Sequence, residues 1–468
     1  MSTCATAVGV FFLCYFLLLD LVCATLFAIS FYDSGSYVRR LSLGGRDTVL
    51  HSPFTPPVSV IVPAFNEEMT IVASVDAMRL LEYGRFEIVV VDDGSTDTTL
   101  ARLTEAYQLV PARAPLRVQV PSQPVRGVFV SRRIPNLVVL TKENGGCKAD
   151  ATNAGINAAR YPLVCVTDAD AVLEKDALAR VVRPFLERPR ETVAAAGIVR
   201  IVNGCTVDTG RVARVGAPRN LLAAMQVVEY LRAFLASRTA WSRLGALFLV
   251  SGAFGVFRKD ALVDVGGFST TTAGEDLELI LRMHQHFRAK RRPYRVVFIP
   301  DPVVWTEAPE TLKGLRSQRK RWHRGLLECL WRYRGMVFNP RYGLLGCFAL
   351  PYLWLFEAGG AVVETAGYAV MIAMAASGVL NLPFFILFVL LAMAYGVALS
   401  VAAVLMDEVR LARTQSARDI ARLLGCTLIE NFGYRQLLAF WRFMATIDLL
   451  RGHKAHWEPL ERRGFQEG

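Results

Sequence analysis

The chain has 468 residues, 53% of them hydrophobic, and its mean hydropathy is positive, which excludes an ordinary soluble protein because the apolar excess collects at the two ends. Lys and Arg outnumber Asp and Glu by 53 to 41, a net charge of +12, yet no nucleic-acid motif accompanies it. The surplus reads instead as basic flanks on the cytoplasmic side of membrane spans and as cations for a nucleotide diphosphate. Nine cysteines are scattered without a Cys-x-x-Cys pair, which argues against a zinc site or a disulfide framework.

Residues 5–32 form an apolar run long enough to cross a bilayer, and no basic segment precedes it as a signal peptide would require. Arg39, Arg40 and Arg46 follow, which places the N-terminus outside and residue 40 onward in the cytoplasm. VSVIVPAF (58–65) reads as a buried strand, EEMTIVASVDAMRLL (67–81) as a helix and FEIVVVDDGS (86–95) as a second buried strand. STDTTLARLTEAY then opens a capped helix, and the alternation predicts a parallel sheet. The proline-rich, basic stretch 111–135 reads as a loop insertion. A strand over 136–140, a helix over 148–159 and the strand LVCVTDAD (163–170) complete this half.

Beyond Arg341 the chain is apolar again, with spans expected over 350–376 and 380–406 and a charged cytoplasmic stretch over 407–422. The piece 423–450 carries Glu430, Arg435, Arg442 and Asp448 between basic flanks, so it is expected to lie at the interface or re-enter. Asp20, Glu357 and Glu364 fall inside apolar spans, where acids either line a glycan path or pair with Arg between helices. The organisation expected is a transmembrane helix (1–35), a cytoplasmic α/β domain (55–335), a membrane domain with about two transmembrane helices (336–450) and a basic tail (451–468).

In a parallel sheet, ligands bind beyond the carboxyl ends of the strands. Pro63, Ala64, Asn66 and Glu67 stand at the first such end, Asp92 and Asp93 at the second, and the 142–148 segment with Lys148 at the third. Asp168 and Asp170 stand at the fourth. Two carboxylates one residue apart suit a hard divalent cation, Mg²⁺ or Mn²⁺, that in turn binds diphosphate oxygens. Asp92 can accept hydrogen bonds from a base or ribose; Lys148 either reaches phosphate or base or is a plain surface lysine. Ser251-Gly252 sits in a turn of small residues that either admits a ligand close to the backbone or merely packs. Gly274-Glu275-Asp276 opens an amphipathic helix, where the acids either cap it or supply a general base to an acceptor hydroxyl. Gln318-Arg319-Lys320-Arg321-Trp322 is either a juxtamembrane patch for anionic lipid or a site where cations meet a leaving diphosphate and Trp322 seats a sugar.

Taken in order, Pro-Ala-Phe-Asn-Glu, Val-Asp-Asp-Gly-Ser, Asp-Ala-Asp, Gly-Glu-Asp and Gln-Arg-Lys-Arg-Trp resemble the processive family-2 glycosyltransferases, a group that includes cellulose, chitin, hyaluronan and poly-N-acetylglucosamine synthases. Gly274 stands where that family often has threonine. The resemblance covers roughly residues 55–330. It implies a GT-A fold, a hexosyltransferase dependent on a UDP-sugar, and inversion by single displacement onto a growing β-linked glycan. The alternative acceptor is a lipid or polyprenyl phosphate glycosylated once. It further implies Asp92 at the uridine, Asp168 and Asp170 at the diphosphate and metal, Asp276 as base, and Gln318, Arg321 and Trp322 at acceptor and leaving diphosphate. The expectation that follows is one crevice, at the headgroup boundary, lined by Asp92, Asp168, Asp276 and Trp322.

Overall fold

A computed structural model describes residues 2–43, 54–113, 116–208, 210–411 and 416–453. Arg46, residues 412–415 of the charged stretch and residues 454–468 of the basic tail lie outside the described residues. The chain forms two compact units. One is sheet-bearing and draws on Ser36–Gly216 and Leu244–Ala308; the other is helical and draws on Met1–Gly35, Ala217–Arg243 and Pro309–Glu461. The segment expected as one cytoplasmic domain, 55–335, therefore contributes to both.

The sheet-bearing unit contains, in chain order, β1 (Val58–Ala64), β2 (Phe86–Asp92), β3 (Leu109–Pro111), β4 (Val125–Ser131), β5 (Leu137–Lys142), β6 (Leu163–Thr167), β7 (Val172–Leu173), β8 (Thr192–Ile201), a small hairpin of β9 (Thr206–Asp208) and β10 (Arg211–Arg214), β11 (Phe254–Arg258) and β12 (Arg295–Thr306). The main sheet has the order β3-β4-β5-β2-β1-β6-β11-β8-β12-β7. Its centre, β5-β2-β1-β6, is parallel, as the alternating pattern predicts. The order reverses direction at β1, so the crevice at the carboxyl ends of β1 and β6 is the topological switch point.

The sheet as a whole is mixed rather than parallel. β11 runs antiparallel to β6 and β8, β7 antiparallel to β12, and β4 antiparallel to β5. The 111–135 stretch, expected as a loop, carries β4, where Val128, Phe129 and Val130 pair with Leu140, Val139 and Val138. Apolar β-formers here outweigh the surrounding prolines.

Burial explains why the central strands read as continuous hydrophobic runs. Val58, Val60, Ile61 and Val62 of β1 are fully buried, as are Ile88 and Val90 of β2, because both faces of the sheet are covered. The Lys148–Ala158 helix packs on β1 so closely that a Cβ on Gly155 would lie 2.4 Å from Ile61 Cγ2. Two buried asparagines of that helix order the insertion. Asn157 Oδ1 accepts from Gln119 N (2.7 Å) and Val120 N (3.0 Å), and Asn153 Nδ2 donates to Pro121 O at 3.0 Å.

Among the described residues, three helices are long and apolar enough to cross a membrane: Thr6–Tyr37, Leu345–Ala376 and Phe385–Val409. The piece 423–450 is broken into the helices Ala417–Ile429 and Tyr434–Leu450, with Gly433 at φ 88° between them. The helical unit has its own core, built around Met225, Val228, Leu315, Val404, Leu423 and Trp441. Several of its charged groups are paired. Glu430, fully buried, meets Arg232, Arg435 (2.9 Å) and Ser400 Oγ (2.9 Å), and Arg442 lies 3.5 Å from Glu357. For Glu357 the structure therefore shows pairing with arginine.

Candidate active site

The loops after β1 and β2 are stitched together. Ala64 and Asp92 are in register, Asp93 N donates to Ala64 O at 2.9 Å, and Pro63 and Ala64 end β1 directly before the crevice. Asn66 takes a left-handed conformation (φ 55°), which asparagine tolerates better than most residues. Its N–H donates to Ser95 Oγ at 3.0 Å and its Oδ1 accepts from Thr96 N at 2.8 Å. Glu67 N donates to Thr99 Oγ1 at 2.9 Å. Asn66 and Glu67 thus clamp the rim between two strand ends.

Asp92 is 4% exposed, and its Oδ1 accepts from Ser95 N at 3.1 Å, which fixes the carboxylate at the end of β2. Asp93, expected to bind the donor, is paired within the fold. Its carboxylate is buried against Lys142 and accepts from Gly145 N at 3.1 Å, while Lys142 also meets Asp150 at 2.5 Å. Burial pushes the Asp93 carboxyl above the usual carboxylate range, against the opposing pull of Lys142 and the Gly145 N–H. Asp93 holds the ends of β2 and β5 together.

The third and fourth strand ends meet at one cation. Lys148, the first residue of its helix, ion-pairs through Nζ with Asp168 Oδ1 and donates to Gly252 O at 2.7 Å. The same Gly252 donates its N–H to Asp276 Oδ2 at 3.2 Å, and Asp276 Oδ1 accepts from Leu277 N at 2.8 Å. The turn of small residues therefore joins two opposite charges through the backbone of one residue. Burial alone would lower the Lys148 pKa, but the carboxylates of Asp168, Glu275 and Asp276 outweigh it and hold the ammonium above the ordinary lysine value.

Lys148, Ser251, Gly252, Glu275 and Asp276 rim a small cavity. Its floor is apolar and buried: Val166, Val250, Phe257 and Phe268, with the two phenyl rings edge to face at 5.8 Å. Sequence reading missed this floor, because Phe257 and Phe268 look like any core aromatic. Glu275 and Asp276 open the Glu275–Ala289 helix, whose positive end favours ionised carboxylates. The third acid of that turn, Glu278, is buried and paired with Arg282 at 2.8 Å.

Asp168 and Asp170 lie half-buried just beyond β6. Among the described residues no cluster of three or more His, Cys, Asp or Glu side chains forms a complete metal cage. Two oxygen-only donors nevertheless suit Mg²⁺ or Mn²⁺, which keep open positions for phosphate and water. Asp92 ends a strand separated from β6 only by β1, so these acids share one sheet edge, about 10 Å apart at two interstrand spacings.

Gln318, Arg319, Arg321 and Trp322 belong to the helical unit, on the Leu312–Arg332 helix. Trp322 is 43% exposed and Arg321 half-buried, while Gln318 Oε1 is buried without a hydrogen-bond partner among the described residues. Arg319, expected at the acceptor or diphosphate, is instead 6% exposed and bound by Glu229 through two contacts of 2.8 and 2.9 Å. Both terminal nitrogens of the guanidinium are thus engaged inside the fold. Glu229 carries no motif, and ninety residues separate it from Arg319, so nothing in the sequence announced the pair.

A family model described as "Glycosyltransferase like family 2" matches residues 56–325. The poly-beta-1,6-N-acetyl-D-glucosamine synthases of Staphylococcus aureus and Staphylococcus epidermidis are 28% identical to this chain over 275 residues, 59% of this chain and 56% of theirs. The chain thus aligns with little more than half the length of these curated relatives. Among solved structures, a mannosyltransferase from Pyrobaculum calidifontis in complex with GDP-Man and Mn²⁺ is 21% identical, with 93% of this chain and 100% of that one covered and a TM-score of 0.49. Residues 1–349 of S. aureus TarS are 15% identical, over 88% and 99% of the two chains, with a TM-score of 0.40.

Proposed function

From the premise that this chain belongs to the glycosyltransferase-like family 2, with a GT-A-like mixed sheet, we propose that it is a membrane-embedded inverting hexosyltransferase that moves a sugar from a UDP-sugar to a growing β-linked glycan. The observation that carries this reading is the continuous set of contacts Asp168–Lys148–Gly252–Asp276, which gathers residues from four separate segments of the chain into one crevice. The basic flank after the first apolar helix supports a cytoplasmic catalytic face. In this arrangement residues 55–335 supply the chemistry and residues 1–35 and 336–450 the membrane anchorage.

Asp276 is the proposed base. Its carboxylate takes the proton of an acceptor hydroxyl as the hydroxyl oxygen bonds to the anomeric carbon. The bond from that carbon to the diphosphate breaks, and its electron pair leaves with UDP. Attack from the opposite side converts an α-linked donor into a β-linked product. A positioned base of this kind contributes ~10²–10⁴-fold. Asp168 and Asp170 would hold a Mg²⁺ or Mn²⁺, which when bound offsets charge on the diphosphate. Lys148, kept cationic by its carboxylate neighbours, supplies a second positive charge at the same end of the sheet. Asp92 is proposed to face the nucleoside, Arg321 the leaving diphosphate, and Trp322 to offer its exposed ring to an acceptor sugar.

The names of the relatives make UDP-N-acetylglucosamine the first donor to test. Purified full-length protein is incubated with a panel of UDP-sugars and Mg²⁺ or Mn²⁺, and products are resolved by mass. Release of UDP with a ladder of β-linked oligomers supports the proposal. A single sugar added to a polyprenyl phosphate would establish the single-transfer alternative, and no UDP release with any donor would refute transferase function.

A further inference from the structure

The helical unit contains a polar clamp that the proposed chemistry does not use. Glu229 is the penultimate residue of the Leu221–Tyr230 helix, directly before the π-helical stretch Leu231–Arg238. Its two oxygens grip the two terminal nitrogens of Arg319, and Oε2 also accepts from Tyr434 OH at 2.8 Å. The Arg319 guanidinium lies 4.5 Å from the centroid of the Trp322 ring. The neighbouring Tyr230 ring lies 6.4 Å from the same indole, tilted by 45°.

A tryptophan left 43% exposed would ordinarily sample several rotamers. Here one cation and one aromatic ring bear on the indole, and the cation is itself fixed from two other helices. A bidentate carboxylate sets the plane of a guanidinium as well as its position, because the fork of N–H donors is rigid. Arg319 Nε has no hydrogen-bond partner among the described residues, so the group is oriented by Glu229 through its far edge. An ordinary packing arginine has no need of a half-buried acid that also recruits a tyrosine from the Tyr434–Leu450 helix.

We propose that Glu229 is a positioning residue for acceptor binding, setting the plane of the Trp322 ring through Arg319, with Tyr434 steadying the acid. This rests on the reading of Trp322 as the acceptor platform. Glu229 does not touch the reacting atoms; it determines how well a sugar face meets the indole. Loss of the clamp therefore raises the acceptor KM while the donor KM stays within about twofold. Cation–π contacts of this kind correspond to a change of about tenfold.

The test measures acceptor KM, donor KM and kcat for full-length protein in detergent. It uses the donor that supports turnover in the panel above and a short oligosaccharide of the same sugar as acceptor. Glu229→Gln is expected to raise acceptor KM about tenfold, and to have no further effect in a Trp322→Ala background. Tyr434→Phe, which removes a single hydroxyl, is expected to raise it about threefold with the same dependence on Trp322, and it carries the test if Glu229→Gln fails to fold. If Trp322→Ala raises acceptor KM but neither variant does, or if their effects persist unchanged without Trp322, the inference is overturned. If Trp322→Ala itself leaves acceptor KM unchanged, the platform reading has failed and this inference falls with it.

Discussion

Replacing Asp276 by Asn tests the proposed chemistry most directly, because the substitution keeps shape and removes basicity. Asp276 accepts two backbone hydrogen bonds, from Gly252 N at 3.2 Å and Leu277 N at 2.8 Å. Asparagine has one carbonyl oxygen, so one of the two is lost, a structural cost of about 1 kcal/mol. Lys148 keeps its pairing with Asp168 and its bond to Gly252 O, so the crevice retains its frame. The catalytic cost is larger. Loss of a general base worth ~10²–10⁴-fold in kcat corresponds to about 3–5 kcal/mol of barrier. Full-length protein is assayed for UDP release under saturating donor and acceptor, with donor affinity measured separately by titration calorimetry. The expected result is a fall in kcat of at least about a hundredfold, donor affinity within about threefold and a nearly unchanged thermal midpoint. A kcat within tenfold of the parent refutes the assignment. If Glu275→Gln, made in parallel, abolishes turnover while Asp276→Asn does not, the base is the neighbouring acid.

Three further outcomes follow from the same geometry. Asp170→Asn should raise the Mn²⁺ concentration for half-maximal activity at least about tenfold and weaken UDP binding measured with Mn²⁺ far more than binding with EDTA; equal loss in both conditions would place Asp170 outside a metal site. His284 is buried, with Nε2 donating to Leu247 O at 2.8 Å and Nδ1 accepting from Tyr294 OH at 2.6 Å, and burial lowers its pKa from 6.5 to about 4. The neutral ring is favoured only in the folded state, so this stability is complete above about pH 6.5 and is lost as pH falls towards 4, by roughly 3 kcal/mol over that window. Thermal midpoints of the full-length protein should decline across that range, and His284→Leu should start lower but decline less; parallel declines would count against the assignment. Gly155→Ala forces a methyl against Ile61 and should destabilise the protein by about 1–3 kcal/mol, read as a lower midpoint with the donor KM of the surviving folded fraction unchanged.

How much of this was legible in the sequence depends on whether a residue's task is local. Asp92, Asp168 and Asp276 each sit at the end of a strongly patterned element, so their place at a strand end or helix start followed from hydrophobic period and capping residues alone. β4 was hidden because prolines around 111–135 dominate the local signal, while its pairing with β5 is a non-local gain no window reveals. The antiparallel β11 was hidden for another reason: its residues alternate no differently from a buried parallel strand, and only the pairing with β6 and β8 decides its direction.

Arg319 and Asp93 share a feature the sequence does not announce: each is paired with a distant residue. Both lie inside motifs whose neighbours Asp92 and Gln318 are buried as well, so burial pattern alone does not single them out. Which member of a charged cluster turns inward is decided by a distant partner: Glu229 for the arginine, Lys142 for the aspartate. A buried charge without such a partner is too costly to persist, so the inward member of a cluster must have one somewhere in the chain. That rule explains why the sequence shows where chemistry is concentrated but not which charges perform it. In Gln318-Arg319-Lys320-Arg321-Trp322, Glu229 holds Arg319 and Asp448, at 2.5 Å, holds Lys320, two partners that no spacing within the motif announces.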